Sequence, residues 1–333
     1  MSLNKTILSI LKFSFFLGLG VFLVWYSLHK IDDKDYNDFK QSLASAKYWM
    51  IIPVFIILST SHLLRSLRWK LLMEPMGYKP SLANTFFAVM IGYLANFAFP
   101  RLGEVLKCTI LSKYENVPAE KNVGTIVAER AFDVVCLLAL FLTALILEHD
   151  VVMAAYHKLQ QSAFNKDENS NTGQYVKIAI LTGIIITIIV LVITKKWNTF
   201  FGKIKTIFKG IGEGLSSAWR LKQKKLFIFY SISIWLLYLL GTYIGLYATA
   251  GTGVGFQAAI SCLAFASIGM IITPGGIGAY AILTALVLEL YNVPYSLGLA
   301  NGTLQWFAQF IIILLVGFVC LILLPIYNRK KNL

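Results

Sequence analysis

The sequence predicts an all-α membrane protein whose helices cross the bilayer several times. Of its 333 residues, 57% are hydrophobic and only 14% are charged, whereas soluble domains are about half apolar and roughly a quarter charged. The apolar residues gather into blocks of about 20, the length that a helix needs to cross the hydrocarbon core. These two observations exclude a soluble globular domain.

Six blocks are long and apolar enough to be full spans. They cover residues 7–28, 48–64, 123–147, 175–194, 226–250 and 297–326. The first block contains Lys12 and lacks a small-x-small cleavage site, so it is predicted to be an uncleaved span and not a secretory signal.

The distribution of charge orients these spans. Basic residues exceed acidic ones by 30 to 16, and they collect on one side of the predicted spans, as expected for the cytoplasmic side. The opposite side receives the polar loop 148–174 and an acidic segment with Asp32, Asp33, Asp35 and Asp38. We therefore expect a multi-pass protein of the inner (cytoplasmic) membrane with both termini in the cytoplasm. Anionic lipid explains the surplus positive charge, and no nucleic-acid partner is expected.

The segment 195–225 is basic and has apolar residues at helical spacing. This pattern is typical of an amphipathic helix that lies on the inner membrane surface. A docking helix for a partner protein is the alternative interpretation.

Two further apolar stretches are interrupted by helix-breaking residues. The stretch 81–111 breaks at Pro100 and Gly103, and the stretch 256–291 breaks at 274–276. Proline disrupts a helix and glycine permits a tight turn. Each half is too short to cross the bilayer comfortably, so each stretch is predicted to be a re-entrant hairpin with Pro100 and Gly103 as the hinge of the first. Two ordinary spans with proline kinks are the alternative.

The order of elements repeats along the chain. Two spans, a broken stretch and a span occupy 7–147, and the same order occupies 175–326. Because each unit holds three full crossings, the second copy must be inverted. The sequence thus predicts a single domain, 1–333, with six full spans and eight membrane segments. In transporters of this plan, discontinuous helices of the two halves bind the substrate.

Ionisable residues occur inside these apolar segments, where each is unfavourable by at least about 2.5 kcal/mol near a helix centre. Glu129 and Asp133 share a face of the third span, and Arg130 can pair with Asp133. Arg101 and Glu104 flank the first break. We expect these five residues to form a polar cluster that binds a lipid headgroup. An ion network that only holds the hairpin against the helix explains them equally well.

Two other groups of residues suit a phosphate. One closes the second predicted span, where arginine fits phosphate and tryptophan favours the headgroup layer; ordinary anchoring explains it as well. The other is the second break, whose backbone N–H groups precede a helix and favour an anion. The candidates are Arg65, Arg68 and Trp69 in the first group, and Pro274, Gly275, Gly276 and Gly278 in the second.

Several catalytic motifs are absent from the sequence. There is no G-x-x-x-x-G-K-S/T phosphate loop, no G-x-S-x-G nucleophile elbow, no H-E-x-x-H and no Cys/His cluster. No cofactor, metal or catalytic residue is therefore predicted, and a transporter is favoured over an enzyme.

Four motifs together resemble one known family. They are Arg65-x-x-Arg68-Trp69, Asn96-x-x-x-Pro100-Arg101-x-Gly103-Glu104, Glu129-Arg130-x-x-Asp133 and Pro274-Gly275-Gly276-x-Gly278. In this order they resemble the lysylphosphatidylglycerol synthase transmembrane-region family, also called flippase-like or YbhN-type. The resemblance implies a relation to the membrane half of the bacterial multiple peptide resistance factor, which moves aminoacylated phosphatidylglycerol to the outer leaflet. The soluble aminoacyltransferase domain of those synthases is not expected here, because the sequence ends just past the last predicted span.

Three functions are compatible with these patterns. The first is a lipid translocase that moves a polar or aminoacylated phospholipid, or another anionic lipid, without hydrolysing ATP itself. The second is a polyprenyl-phosphate-dependent glycosyltransferase, which the resemblance implies through archaeal relatives and which could use the acidic segment. The third is a non-transporting membrane regulator of lipid biosynthesis. The expected partners are membrane lipids, and a second copy of the chain or a separate lipid-modifying enzyme is also compatible.

Overall fold

The computed structural model describes residues 32–98, 102–149 and 219–329, together with isolated positions before residue 32 and at 153. Pro100, Arg101, the span 175–194 and the segment 195–218 lie outside the described residues. So do most of the span 7–28 and most of the loop 148–174.

The regular elements of the described ranges are all helical, which confirms the all-α prediction. The helices are α1 (Asp33–Ala44), α2 (Ile51–Met73), α3 (Leu82–Ala98), α4 (Leu102–Glu115), α5 (Ala119–Leu147), α6 (Lys224–Leu246), α7 (Phe256–Ile272), α8 (Ala279–Leu290) and α9 (Tyr295–Arg329). Short 3-10 turns occupy Tyr48–Met50, Glu74–Met76 and Pro274–Gly276.

Four segments of the described ranges are long and apolar enough to cross a membrane. They are Tyr48–Met76, Ala119–Leu147, Lys224–Leu246 and Tyr295–Arg329. Each coincides with a span that the sequence predicts, so the protein is a multi-pass membrane protein.

Helix α2 is longer than the sequence predicts. The hydropathy pattern ends this span at residue 64, but the helix continues to Met73 through Arg65 and Arg68. The two arginines lower the local hydropathy, yet their charges are compensated by carboxylates of another helix. The helix can therefore stay buried through its last two turns.

Helices α3 and α4 form an antiparallel hairpin. At its open end, Asn84 Nδ2 donates to Glu115 Oε1 at 2.6 Å. Beside the break, the backbone N–H of Gly103 donates to Asn96 Oδ1 at 2.8 Å. Contacts at both ends mean that the two helices lie side by side. The end of α4 therefore lies beside the beginning of α3.

Helices α7 and α8 form a second antiparallel hairpin. At its open end, the hydroxyl of Tyr291 donates to Ser261 Oγ at 3.4 Å. Near the turn, a Cβ added to Gly269 would lie 2.8 Å from the backbone nitrogen of Tyr280. The second broken stretch therefore also folds back on itself.

The turns of the two hairpins touch each other. A Cβ added to Gly275 would lie 2.5 Å from Cε1 of Phe97, at the end of α3. Gly275 has a φ of 63°, a conformation that favours glycine, and its carbonyl accepts a 2.7 Å hydrogen bond from Nε1 of Trp306 in α9. The second turn is thus fixed between the first hairpin and the last helix.

Helices that the predicted repeat would match resemble each other in length and in their contacts. α2 and α6 both have 23 residues, and α3 and α7 both have 17. α5 packs on α7, and its counterpart α9 packs on α3. α2 and α6 run antiparallel: Lys47 N donates to Ala248 O at 2.7 Å beside one end, and Gln223 Nε2 lies 3.1 Å from Glu74 Oε2 beside the other.

The acidic segment forms helix α1, which packs against α9. Asp32 caps the helix, because its Oδ1 accepts a 2.8 Å hydrogen bond from the backbone of Asp35. Asp35 Oδ1 in turn accepts from Ser296 Oγ at 3.3 Å, and Phe39 packs against the hydrophobic cluster that contains Leu299. These contacts give two of the four acidic residues a structural role, which does not favour the glycosyltransferase interpretation.

The first hairpin depends on a close approach of α3 and α4. A Cβ added to Gly103 would overlap the carbonyl oxygen of Gly92, so Gly103→Ala forces the helices apart. Overpacking of this kind destabilises a protein by about 1–3 kcal/mol, and we expect a lower apparent Tm in detergent. Gly124→Ala is the matched control, because a Cβ there meets nothing within 4 Å. Equal melting of the two variants would contradict this packing.

Candidate functional site

Five charged side chains from three helices meet inside the protein. Arg65 and Arg68 come from α2, Lys107 from α4, and Glu129 and Asp133 from α5. Their side chains are between 0% and 14% exposed. We call these five residues the charge network.

The ion pairs of the charge network reach all four carboxylate oxygens. Arg65 Nη1 lies 2.9 Å from Glu129 Oε1 and 2.7 Å from Asp133 Oδ2. Arg68 Nη2 lies 2.8 Å from Asp133 Oδ1 and 3.5 Å from Glu129 Oε1. Lys107 Nζ lies 3.0 Å from Glu129 Oε2. Buried charges need this degree of pairing, since an unpaired ion away from water is strongly unfavourable.

Helical spacing and close packing position these side chains. The two arginines are three residues apart and the two carboxylates four apart, so each pair lies on one helix face. The stem of Lys107 passes close to Gly92, where a Cβ would lie 2.8 Å from its Cγ. Its ammonium lies 4.3 Å from the ring centre of Trp69, and Trp69 Nε1 donates to Thr125 Oγ1 at 2.8 Å. The network thus connects α2, α4 and α5.

The charge network contains one more cation than anion, because three basic groups face two carboxylates. Neutral hydroxyl groups accept hydrogen bonds from two of the remaining N–H groups of the arginines. Arg65 Nη2 donates to the hydroxyl of Tyr238 at 3.2 Å, and Arg68 Nη1 donates to Ser231 Oγ at 3.3 Å. The Nε atoms of both arginines are buried without a hydrogen-bond partner in the described part of the chain.

Part of the charge network lines a cavity of about 400 Å³. The wall follows α2 from Ile51 to Arg65, which corresponds to roughly 21 Å of helix. The lining surface is mostly apolar, and the lining residues come mainly from α2, α5, α6, α7 and α9. Its polar or charged lining residues are His62, Arg65, Tyr93, Arg130, Asp133, Trp235, Tyr238, Thr242, Ser267, Tyr280, Gln305 and Gln309.

Two unsatisfied polar groups lie at the charged end of this cavity. His62 is 6% exposed, and its Nδ1 has no hydrogen-bond partner within the described residues. The Nε of Arg65 lacks a partner as well, and both side chains line the cavity. The ring of Tyr93 packs on His62 with 5.1 Å between ring centres. Both atoms are themselves buried, so a ligand in the cavity would reach them only after the two side chains turn toward it.

The predicted cluster is divided into two parts in the structure. Glu129 and Asp133 do share a face, but they pair with Arg65, Arg68 and Lys107. The expected pair of Arg130 with Asp133 does not form, because the two arginines of α2 occupy both oxygens of Asp133. Arg130 Nε instead lies 3.6 Å from Glu104 Oε1, and these side chains are 46% and 38% exposed.

The sequence analysis expects Arg65, Arg68 and Trp69 at the membrane surface, and the structure corrects this. All three are buried, with 5%, 0% and 0% of their surface exposed. Their helix extends beyond the predicted end of the span, which places them inside the helix bundle. Contact with lipid phosphate at an exposed membrane surface is excluded for this arrangement, although Arg65 reaches the cavity.

The second turn lies next to the cavity wall. Gly275, Gly276 and Gly278 all have positive φ angles, and the backbone N–H of Gly276 donates to the carbonyl of Thr273 at 3.0 Å. Pro274 begins the 3-10 turn. None of these residues is among those described as lining the cavity, whereas the neighbouring Tyr280 is. In the first hairpin, Gly103 lies inside α4, and its role in the structure is close packing.

Sequence reasoning missed two groups of site residues. Lys107 is one of many basic residues near the predicted spans, and nothing in the sequence shows which helix faces it. Gln305 and Gln309 are four residues apart in an otherwise apolar span. That spacing places two amides on one helix face, which is a pattern that the sequence itself contains.

Comparisons with known proteins identify the family of this chain. The lysylphosphatidylglycerol synthase TM region family matches the chain over residues 9–317. The protein belongs to this family. It is also 23% identical to a UPF0104 membrane protein of Methanocaldococcus jannaschii, over 99% of this chain and 97% of that protein. No solved structure matches the chain significantly. The family match includes every residue of the charge network and of the cavity wall.

Proposed function

We propose that this protein is a lipid translocase that moves a polar lipid, either anionic or aminoacylated, between the leaflets without hydrolysing ATP itself. The observation that carries the proposal is the mostly apolar cavity that ends at a buried network with one excess positive charge. Family membership agrees with a role in lipid chemistry or lipid movement.

The cavity addresses the main barrier to lipid exchange. A charged headgroup cannot cross the hydrocarbon core without a large loss of hydration. Arg65 and His62 would replace part of that hydration with hydrogen bonds to the lipid phosphate. The acyl or isoprenoid tails would remain in the bilayer and pass along the hydrophobic cavity wall.

An inverted repeat would give the cavity two alternative states, each open to one side of the membrane. Helix α5 packs on α7 and helix α9 packs on α3, which is the pairing that such a repeat requires, and α2 runs antiparallel to α6. A two-fold axis in the membrane plane relates helices in this way, as in transporters with inverted repeats. In this proposal the α3–α4 and α7–α8 hairpins enter from opposite faces and meet at Phe97 and Gly275. The charge distribution supports cytoplasmic termini in the inner membrane.

The other predicted site residues have distinct roles in the proposal. Arg130 lines the cavity and is paired with the half-exposed Glu104, so this pair would attract the headgroup at the cavity edge. Arg101, which lies outside the described residues, would add a further positive charge for the headgroup. Pro274, Gly275, Gly276 and Gly278 would hold the second turn against the cavity wall.

Leaflet exchange in reconstituted vesicles tests the proposed function. Purified protein is inserted into liposomes that contain phosphatidylglycerol, phosphatidylethanolamine or lysyl-phosphatidylglycerol with a fluorophore on one acyl chain, in the absence of ATP. Membrane-impermeant dithionite then reports how fast inner-leaflet lipid reaches the outer leaflet. We expect at least one lipid to exchange faster than in vesicles with an unrelated membrane protein. The proposed function would be contradicted if none of the three lipids exchanged faster with this protein than with the unrelated membrane protein.

A further inference from the structure

Three neutral side chains form a hydrogen-bonded group on the cavity wall, and we call Tyr280, Gln305 and Gln309 the amide site. The hydroxyl of Tyr280 lies 3.4 Å from Oε1 of Gln305, to which it donates. Nε2 of Gln309 donates to the same hydroxyl at 3.3 Å. All three residues line the same cavity as Arg65.

The amide site is held in place from behind. Gln305 Nε2 donates to Asn301 Oδ1 at 2.7 Å, and Asn301 Nδ2 donates to the carbonyl of Gly245 at 3.0 Å. Gly245 leaves room for this arrangement, since a Cβ there would lie 2.8 Å from Cδ of Gln305. Polar groups in an apolar helix are unfavourable unless they are bonded, and here they are bonded and oriented before any ligand arrives.

The spacing along the helices places the amide site about the length of one lipid headgroup from the charged end of the cavity. Arg65 contacts Tyr238 and Gln305 contacts Gly245, and these α6 residues are about 10 Å apart along the helix. Gln309 lies one turn of α9, about 6 Å, from Gln305. It lies on the side of the charged end, because Ile312 beyond it belongs to a hydrophobic cluster against which Tyr238 packs. A phosphate at Arg65 would therefore leave its substituent near Gln309.

The hydrogen-bonding capacity of the amide site is not used up. The amide of glutamine offers two N–H donors and one carbonyl acceptor. Within the described residues, Gln309 uses one donor for Tyr280, and the rest of its amide can face the cavity. Such a group suits the hydroxyls of a polyol, which both donate and accept.

The same cavity offers no free carboxylate to an amine. Among the described lining residues, Asp133 is the sole carboxylate, and arginines bind both of its oxygens at 2.7 and 2.8 Å. Arg65 and Arg130 also line the cavity. A headgroup ammonium would meet these like charges with no unpaired negative charge to compensate them, which is unfavourable.

We infer that the cavity selects lipids whose phosphate carries a neutral, hydroxylated group such as glycerol or a cyclic polyol, and rejects headgroups that carry an amine. The phosphate binds at Arg65 and His62, and the hydroxyls bind at the amide site. This inference rests on the proposed function and narrows it, because it removes aminoacylated lipids from the substrates.

A comparison of exchange rates for different lipids in the vesicle assay tests this selectivity with the wild-type protein. Acyl-labelled phosphatidylglycerol, phosphatidylinositol, phosphatidic acid and lysyl-phosphatidylglycerol are compared at equal density. We expect phosphatidylglycerol or phosphatidylinositol to exchange about tenfold faster than lysyl-phosphatidylglycerol, and faster than phosphatidic acid, which lacks the hydroxylated group. The ratio of the first two identifies the preferred polyol.

Gln309→Leu connects the selectivity to the amide site. The variant should reduce exchange of the preferred polyol lipid to the level of phosphatidic acid. Thr303→Val is the matched control on α9, since its hydroxyl bonds back to the carbonyl of Leu299 at 2.7 Å and it does not line the cavity. Lysyl-phosphatidylglycerol moving as fast as phosphatidylglycerol, or Gln309→Leu keeping the preference, would overturn the inference alone. Exchange of no lipid at all would overturn the proposed function as well.

Discussion

Glu129→Gln should destabilise the folded protein by about 3–5 kcal/mol, the range for breaking a buried ion pair. Glu129 is 1% exposed and lies within 3.5 Å of Arg65, Arg68 and Lys107. After the substitution, three buried cations would face Asp133 alone. The apparent Tm of the purified variant in detergent, followed by the onset of aggregation, measures this effect.

Two further variants show that the loss comes from charge balance. Glu104→Gln removes a half-exposed carboxylate that pairs with Arg130 at 3.6 Å, and such pairs contribute only about 0–1 kcal/mol. Lys107→Met combined with Glu129→Gln restores the original excess of one positive charge and should recover much of the lost stability. A Glu129→Gln variant that melts like the wild type would show that the network is not a stabilising ion cluster.

Arg65→Gln should leave the protein folded but slow the exchange of anionic lipid by about 10- to 100-fold. Without Arg65, the cations Arg68 and Lys107 still balance Glu129 and Asp133. The variant nevertheless loses the arginine of the network that lines the cavity. A charge-assisted hydrogen bond contributes about 1.5–3 kcal/mol, which sets the expected size of the effect. The vesicle assay with labelled phosphatidylglycerol measures it.

Arg220→Gln is the control for general loss of positive charge. This arginine is exposed and does not line the cavity, so its removal should leave the rate unchanged. If Arg65→Gln is folded and transports at the wild-type rate, Arg65 does not bind the headgroup.

Glu129→Gln and Arg65→Gln together also distinguish a binding site from a purely structural network. A network that only holds helices together predicts that transport falls in proportion to the amount of folded protein. The proposed site predicts a loss of transport in Arg65→Gln at full folding. This contrast addresses the interpretation of the protein as a non-transporting regulator.

Much of the fold could be predicted because its signals are local. Apolar blocks identify the long helices, and α5 ends at Leu147 as its hydropathy indicates. Proline and glycine act on the backbone where they stand, so the break at Pro274 appears at the expected place as a 3-10 turn. The four-residue spacing of Glu129 and Asp133 correctly predicts a shared face.

The partners within the site could not be predicted, because they depend on packing between distant helices. Hydropathy ends the second span at residue 64, since an arginine raises the local polarity whether or not it is paired. Only the position of α5 beside α2 shows that Arg65 and Arg68 are neutralised there. Lys107 likewise becomes a site residue because Gly92 lets its stem pass between helices.

Native mass spectrometry of the purified protein tests the central claim most directly. The claim is that Arg65, at the charged end of the cavity, holds the phosphate of an anionic lipid. We predict that the wild type retains such a lipid after detergent removal and that Arg65→Gln loses it, while Arg220→Gln retains it. Identical lipid adducts on all three proteins, or retention of lipids with cationic headgroups alone, would contradict the claim.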